Sequence, residues 1–140
     1  ASDVYKRQVF MGSYGVGVSR LVGGIIEANH DENGIIWPKE VSPFMCSLIN
    51  LNSDNKECLE VSNQIYNYCN KKMIDVLFDD TKESIGSKLA TANLIGFPYQ
   101  VIIGPKGIKN DSFEIKTRKT NKTINLSLNE IFNFINENMV

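Results

Sequence analysis

Three glycines and an arginine are the first residues in this chain with chemical promise: Gly12-x-x-Gly15-x-Gly17-x-x-Arg20. Glycine carries no Cβ, so such a run lets another group lie against bare backbone. An arginine three residues after the last glycine presents a planar fork suited to phosphate oxygens or to the face of a purine. The dinucleotide fingerprint needs a glycine where Arg20 stands, and no Gly-Lys-Ser/Thr phosphate loop occurs. On spacing alone, a strand packed tightly against its neighbours accounts for these glycines as well as a nucleotide site does.

A second cluster, Phe78-Asp79-Asp80-Thr81-Lys82-Glu83-Ser84-Ile85-Gly86-Ser87-Lys88, follows an apolar run. Ligands of open parallel sheets bind beyond the carboxyl ends of strands. Asp79 and Asp80 could accept there from the amino and imino groups of bases, and Lys82 and Lys88 could reach phosphates. The competing role for Asp80 is to cap the helix that follows. Residues 81–122 hold eight Lys and Arg against three Asp and Glu, a local excess of +5 in a chain of net charge -1. That pattern suits a polyanion and equally suits a sheet edge guarded by lysine. His30, the only histidine, stands beside Asp31 and Glu32 and reads as a hydrogen-bonding residue rather than a base. Cys46, Cys58 and Cys69 fit neither a zinc pattern nor a disulfide framework, so they are expected in the core of a protein from a reducing, cytoplasmic setting. No metal site is expected.

The elements that must position these groups follow from composition and periodicity. With 140 residues, 42% hydrophobic and 22% charged, the chain suits one ordinary globular domain and a little more. It is neither strongly basic nor a disordered acidic chain, and no apolar run approaches the ~20 residues of a membrane span. Residues 1–8 read as a foreign leader. From Val9, a strand containing Val16 and Val18 is expected to turn at the glycines into a helix carrying Leu21, Val22, Ile25 and Ile26. Asn33-Gly34, Trp37-Pro38 and Ser42-Pro43 break every period, so 31–43 is expected as a connector between a short first unit and a domain spanning 44–140.

In that domain, strands are expected at 44–51, 74–78, 99–103, 113–117 and 124–126. Helices are expected from about Asp54 (Cys58, Val61, Ile65 and Cys69 inward), at 84–95 (Ile85, Leu89 and Ala92 inward) and after the capping box Ser127-x-x-Glu130. The order β-α-β-α-β-β-β-α predicts an α/β fold: an open, mostly parallel sheet with helices on both faces.

Met11-Gly12-Ser13-Tyr14-Gly15-Val16-Gly17-Val18-Ser19-Arg20 resembles the third signature motif of class II aminoacyl-tRNA synthetases in its prolyl form. His30-Asp31-Glu32-Asn33-Gly34-Ile35-Ile36-Trp37-Pro38 is similar to the connector that follows it in bacterial prolyl-tRNA synthetases. Val76-Leu77-Phe78-Asp79-Asp80 and Leu94-Ile95-Gly96-Phe97-Pro98-Tyr99 resemble two landmarks of that family's anticodon-binding domain. The resemblance covers Val9 to Val140.

It implies a C-terminal piece of a proline–tRNA ligase, with 9–30 as the end of the class II catalytic domain and 44–140 as the anticodon-binding domain. The family activates proline with ATP and Mg²⁺ and transfers it to tRNA(Pro). The resemblance makes Arg20 the catalytic, ATP-contacting residue, with Gly15 and Gly17 flooring the ATP pocket. It places Asp79, Asp80, Lys82 and Lys88 near the anticodon. Thr81 stands where the family often has arginine, and Ile85-Gly86 where it has Pro-Gly. Motifs one and two and the homodimer surface are missing from this sequence, so the piece alone is expected to be inactive and no membrane contact is expected. Two other readings remain open: a free-standing tRNA-binding accessory protein, and a flavodoxin-like nucleotide-binding domain.

Overall fold

A computed structural model describes residues 10–140; the expected leader 1–8 and Val9 lie outside the described residues. Residues 10–17 form no helix or strand, and α1 (Val18–Ala28) opens directly after Gly17. This corrects the strand expected around Val16 and Val18. A glycine-rich strand holds its shape only when neighbours supply its ladder, and none pairs with it among the described residues. Val18 instead begins the helix, none of whose residues is buried.

The segment 31–43 carries more structure than a tether. His30–Asp31 (β1) and Gly34–Ile35 (β2) pair antiparallel. Asp31 Oδ1 accepts from the backbone N–H groups of Asn33 at 2.9 Å and Gly34 at 3.1 Å, which closes the turn between them.

The main sheet has five strands: β3 (Cys46–Asn50), β4 (Val76–Asp79), β5 (Tyr99–Ile103), β6 (Phe113–Thr117) and β7 (Lys122–Leu126), in the order β4-β3-β5-β6-β7. Pairings among β4, β3 and β5 are parallel, and those of β5 with β6 and β6 with β7 are antiparallel. The sheet is thus mixed, because β5, β6 and β7 follow one another with connections too short for a crossover.

Between β3 and β4 runs α2 (Lys56–Lys71), capped by Asn55, whose side chain accepts from the Cys58 N–H. Between β4 and β5 runs α3 (Ile85–Ile95), and α5 (Leu128–Asn138) closes the chain with the expected Ser127/Glu130 capping box. A short helix, α4 (Pro105–Asn110), stands between β5 and β6 where no element was expected. Pro105 at its first turn lacks only an N–H that a helix leaves unpaired there.

Pleating sends alternate side chains to opposite faces. Leu48, Val101, Ile103 and Ile115 meet Cys58, Ile65 and Cys69 of α2 and Ile131 and Ile135 of α5, all buried. Each fully buried aliphatic side chain contributes about 1.5–3 kcal/mol, so this face holds the domain together. Burial pushes the Cys46 thiol well above its ordinary range and that of Cys69 up to about 11, so neither is a nucleophile near neutral pH. The opposite face carries α3 and, beside it, the hairpin β1–β2.

The hairpin is fastened to that face. Arg118, 1% exposed, donates through Nη1 and Nη2 to Asp31 at 2.7 and 2.6 Å, and through Nε to the Asn93 carbonyl at 3.1 Å. The Trp37 N–H donates to the Gly96 carbonyl at 3.0 Å. Gly96 ends α3 at φ +77°, and a Cβ there would overlap the carbonyl of Ile35. At the far end of the segment, Lys39 donates to the Asn138 carbonyl at 3.2 Å and sits 4.8 Å over the Tyr99 ring.

Arg118 holds the Asp31 carboxyl well below its ordinary value of 3.8, chiefly by donating to it. A depressed folded-state value makes this contribution complete above about pH 4 and progressively lost as pH falls further. The emission of Trp37, the only tryptophan, is therefore expected to stay constant from pH 8 to 5 and to change below about pH 4. Gly96→Ala is expected to cost more than about 2 kcal/mol in a urea titration, from left-handed backbone and overlap together.

Candidate nucleic-acid interface

The parallel strands β4, β3 and β5 end on one side of the sheet, at Asp79, Asn50 and Ile103. A crevice outside the carboxyl ends of parallel strands is where open α/β sheets take ligands. α3 lies across this face, and a cleft opens on either side of it.

The first cleft, about 290 Å³, lies toward β4 between Ser47, Ile49, Leu77, Asp79, Lys88 and Ala92. Its walls are mainly apolar, and the buried Ser47 hydroxyl on its floor has no hydrogen-bond partner among the described residues. The second, about 650 Å³, lies toward β6 and β7 and reaches the loop after β5. Leu89 and Ile102 supply apolar walls, and Asn52, Lys106, Glu114 and Asn125 supply donors and acceptors. Gly107 is required here for space, since a Cβ would meet the Ser112 carbonyl at 2.8 Å and the Phe113 ring at 2.9 Å.

Of the four residues expected near the anticodon, the structure brings Asp79 and Lys88 together and sets Asp80 and Lys82 apart. Lys88, 2% exposed, donates to the Asn50 carbonyl at 2.6 Å and lies 3.7 Å from Asp79 Oδ1. It closes the gap between strand ends and α3 rather than meeting solvent. Asp79 accepts from the Thr81 N–H at 3.1 Å and the Thr81 hydroxyl at 2.6 Å, an Asx-type turn that leads the chain off β4. The helix cap expected from Asp80 falls instead to Ser84, whose hydroxyl accepts from the Ser87 N–H. Asp80 is exposed, and Lys82 is exposed and paired with Asp54 at 2.7 Å. The inward face of α3 is Lys88 and Ala92 with Leu89 half-buried, and Ile85 is 51% exposed.

Half of the positive charges over 81–122 are engaged by other groups of the protein. Lys82 pairs with Asp54 and Arg118 with Asp31, both partners lying outside that stretch; Lys88 is buried and Lys116 donates to Asn93 at 3.1 Å. Lys106, Lys109, Lys119 and Lys122 are exposed and carry no ion pair among the described residues. Lys106 and Lys109 stand on α4, and Lys106 lines the second cleft. Lys119 lies in the turn joining β6 to β7 and Lys122 opens β7, at the opposite end of the parallel strands. Sequence reasoning missed the second cleft; Gly104-Pro105 after a third parallel strand was its one visible signal.

The residues expected to form an ATP site are placed differently. Gly15 has nothing within 4 Å of where a Cβ would stand, Gly17 is the N-cap of α1, and Arg20 is exposed in that helix's first turn. None of them lines either cleft.

The family described as "Anticodon binding domain" matches residues 45–138, from the start of β3 to the end of α5. The chain belongs to this anticodon-binding-domain family. The proline–tRNA ligase of Rickettsia bellii (strain OSU 85-389) is 52% identical over 120 residues, 86% of this chain and 28% of that protein. The proline–tRNA ligase of Wolbachia sp. subsp. Brugia malayi (strain TRS) is 47% identical over 136 residues, 97% of this chain and 32% of that protein. The chain therefore spans about a third or less of the relatives it matches. In fold, it matches the Cryptosporidium parvum prolyl-tRNA synthetase complexed with L-proline and AMP at a TM-score of 0.76, with 20% identity, over 85% of this chain and 26% of that one. The resemblance to prolyl-tRNA synthetases is thus met in sequence and in fold. No helix among the described residues is long and apolar enough to cross a membrane.

Lys88→Met is expected to lower unfolding stability by roughly 3 kcal/mol, because it leaves the Asn50 carbonyl and Asp79 without their buried cation. Lys82→Ala, removing an exposed pair, is expected to change it by less than about 1 kcal/mol. Urea titration of the two variants checks the assignment.

Proposed function

We propose that this chain is the anticodon-recognising part of a proline–tRNA ligase, and that the parent enzyme joins proline to tRNA(Pro) at the expense of ATP. The observation that carries the reading is the family match across 45–138, joined to relatives of that activity along nearly the whole chain. The clefts beside α3 suit the task. Unstacked loop bases need apolar walls for their faces and mixed donors and acceptors for their edges, and the second cleft offers both. Lys106 at its rim and Lys109 on the same short helix would take the flanking phosphates, with Lys82 exchanging Asp54 for a phosphate at the far side of α3. Asp79 and Lys88 act beneath this surface by holding strand ends and helix together, and Asp80 stands at its edge.

Gly15, Gly17 and Arg20 belong to the ATP pocket of the parent in this reading, with the remaining walls supplied by parts of the enzyme that this sequence does not include. The exposed stretch 10–24 agrees with a segment built to be covered. ATP chemistry also calls for Mg²⁺, and the described residues hold no group of three or more His, Cys, Asp or Glu suited to it. Homodimerisation and a cytoplasmic location of the parent belong to the same proposal. A free-standing RNA-binding protein would leave Gly12 to Arg20 without use, and no observation favours it.

The chain alone is expected to bind tRNA(Pro) and to give no proline-dependent ATP–pyrophosphate exchange, while the full-length protein gives both. Filter binding should weaken steeply between 50 and 200 mM salt, and Lys106→Glu with Lys109→Glu should flatten that slope by roughly two phosphate contacts. Salt-independent binding, or exchange by the chain alone, contradicts the reading.

A further inference from the structure

The residues between α1 and the sheet form a chain of fixed joints with no free swivel. Asn29 Nδ2 donates to the Ile25 carbonyl at 2.9 Å, and the Asn29 carbonyl accepts from the Ile36 N–H at 2.9 Å. The end of α1 is thereby tied to the second strand of the hairpin. His30 Nδ1 lies 3.0 Å from the Glu27 carbonyl, a second tie back to the helix. Asp31 then does two things with one carboxylate. It closes the hairpin turn through Asn33 and Gly34, and it grips Arg118 with both oxygens. Arg118 is itself seated by the Asn93 carbonyl and by its own N–H donating to the Pro98 carbonyl at 2.9 Å. Helix α1, the hairpin, α3 and β6 are linked in series through short, directional bonds.

A flexible tether would need none of this, and a buried guanidinium is costly unless its geometry is exact. We propose that residues 29–37 are a rigid coupling that sets the bearing of α1 on the sheet, with Asp31 and Arg118 as its lock and as positioning residues for tRNA charging. This rests on the proposed function, in which α1 belongs to the catalytic part and the sheet to the anticodon-binding part. One RNA must then meet both at once. Grip on the anticodon helps the distant reaction only when the two surfaces are held at the separation and angle that the RNA spans. Misplacement by about 1 Å is enough to cost up to ~100-fold in rate.

The test uses the full-length protein with Asp31→Asn, Asp31→Glu and Arg118→Lys. Proline-dependent ATP–pyrophosphate exchange by the full-length protein, and the Kd of each variant for an isolated anticodon stem-loop, should stay within about twofold of the unsubstituted enzyme, because both surfaces remain intact. The kcat/KM for charging should fall at least about tenfold for Asp31→Asn and for Arg118→Lys, whose single ammonium cannot fork. Asp31→Glu, which keeps charge and both oxygens, should recover part of it. A parallel loss of exchange, binding and charging would mark a merely structural pair and overturn the coupling, as would unchanged charging in all three variants. Absence of exchange in the unsubstituted enzyme would overturn the functional reading and the coupling with it.

Discussion

A carboxylate and a guanidinium, Asp31 and Arg118, join the β1–β2 hairpin to the five-stranded sheet. Arg118 is buried on the face of the sheet that the main core does not use, where an unpaired charge would be several kcal/mol unfavourable. Asp31 neutralises it while also forming the turn of its own hairpin, so local chain geometry and long-range attachment share one group. Asn93 extends the same network. Its side-chain oxygen accepts from Gln100 and Lys116, both at 3.1 Å, and its carbonyl accepts from Arg118. One face of the sheet is therefore held by apolar packing, and the other adds directed polar bonds to the burial of Ile49, Ala92 and Phe97. The second kind costs more to build, and it specifies where α3 and the hairpin sit.

That division explains the unusual character of α3. Its buried residues are Lys88 and Ala92, and Ile85 and Leu94 are exposed, so it shows no clean apolar stripe. A helix held by an apolar stripe would seal against the sheet along its length. α3 is pinned at its caps, at Lys88 and at Asn93, and this leaves open clefts along both flanks. Openness at the carboxyl ends of the strands thus follows from how the helix is attached.

Much of the main sheet was legible because its period is local. The strands β5 and β6 begin and end where alternation and the flanking Gly and Pro place them, and the Ser127 capping box forms as its spacing requires. Two of the misses share a cause: each depended on a partner far along the chain. Nothing near Lys88 in sequence announces the Asn50 carbonyl, and nothing near Arg118 announces Asp31. Local charge counting over 81–122 therefore overstated the free positive surface. Asp80 was readable as a cap, yet Ser84 stands closer to the helix start, and Asp79 is spent on Thr81. Helix α4 is only six residues long, too short to show a period.

The glycine segment makes the same point from the other side. Its residue types were readable as a surface made for close approach, but close approach is a property of two partners, and the described residues contain one. Without a neighbouring strand, residues 10–17 have no ladder to join, and Gly15 faces open space. Helix α1 survives because its hydrogen bonds are internal and its carboxyl end is fastened by Asn29 and His30 to the hairpin. Order in this part of the chain therefore enters from the sheet: it passes from Arg118 to Asp31, from the hairpin to Asn29, and from there into α1. Gly17 still accepts from the Leu21 N–H at 3.0 Å, but residues 10–16, one step beyond, have no such bond among the described residues.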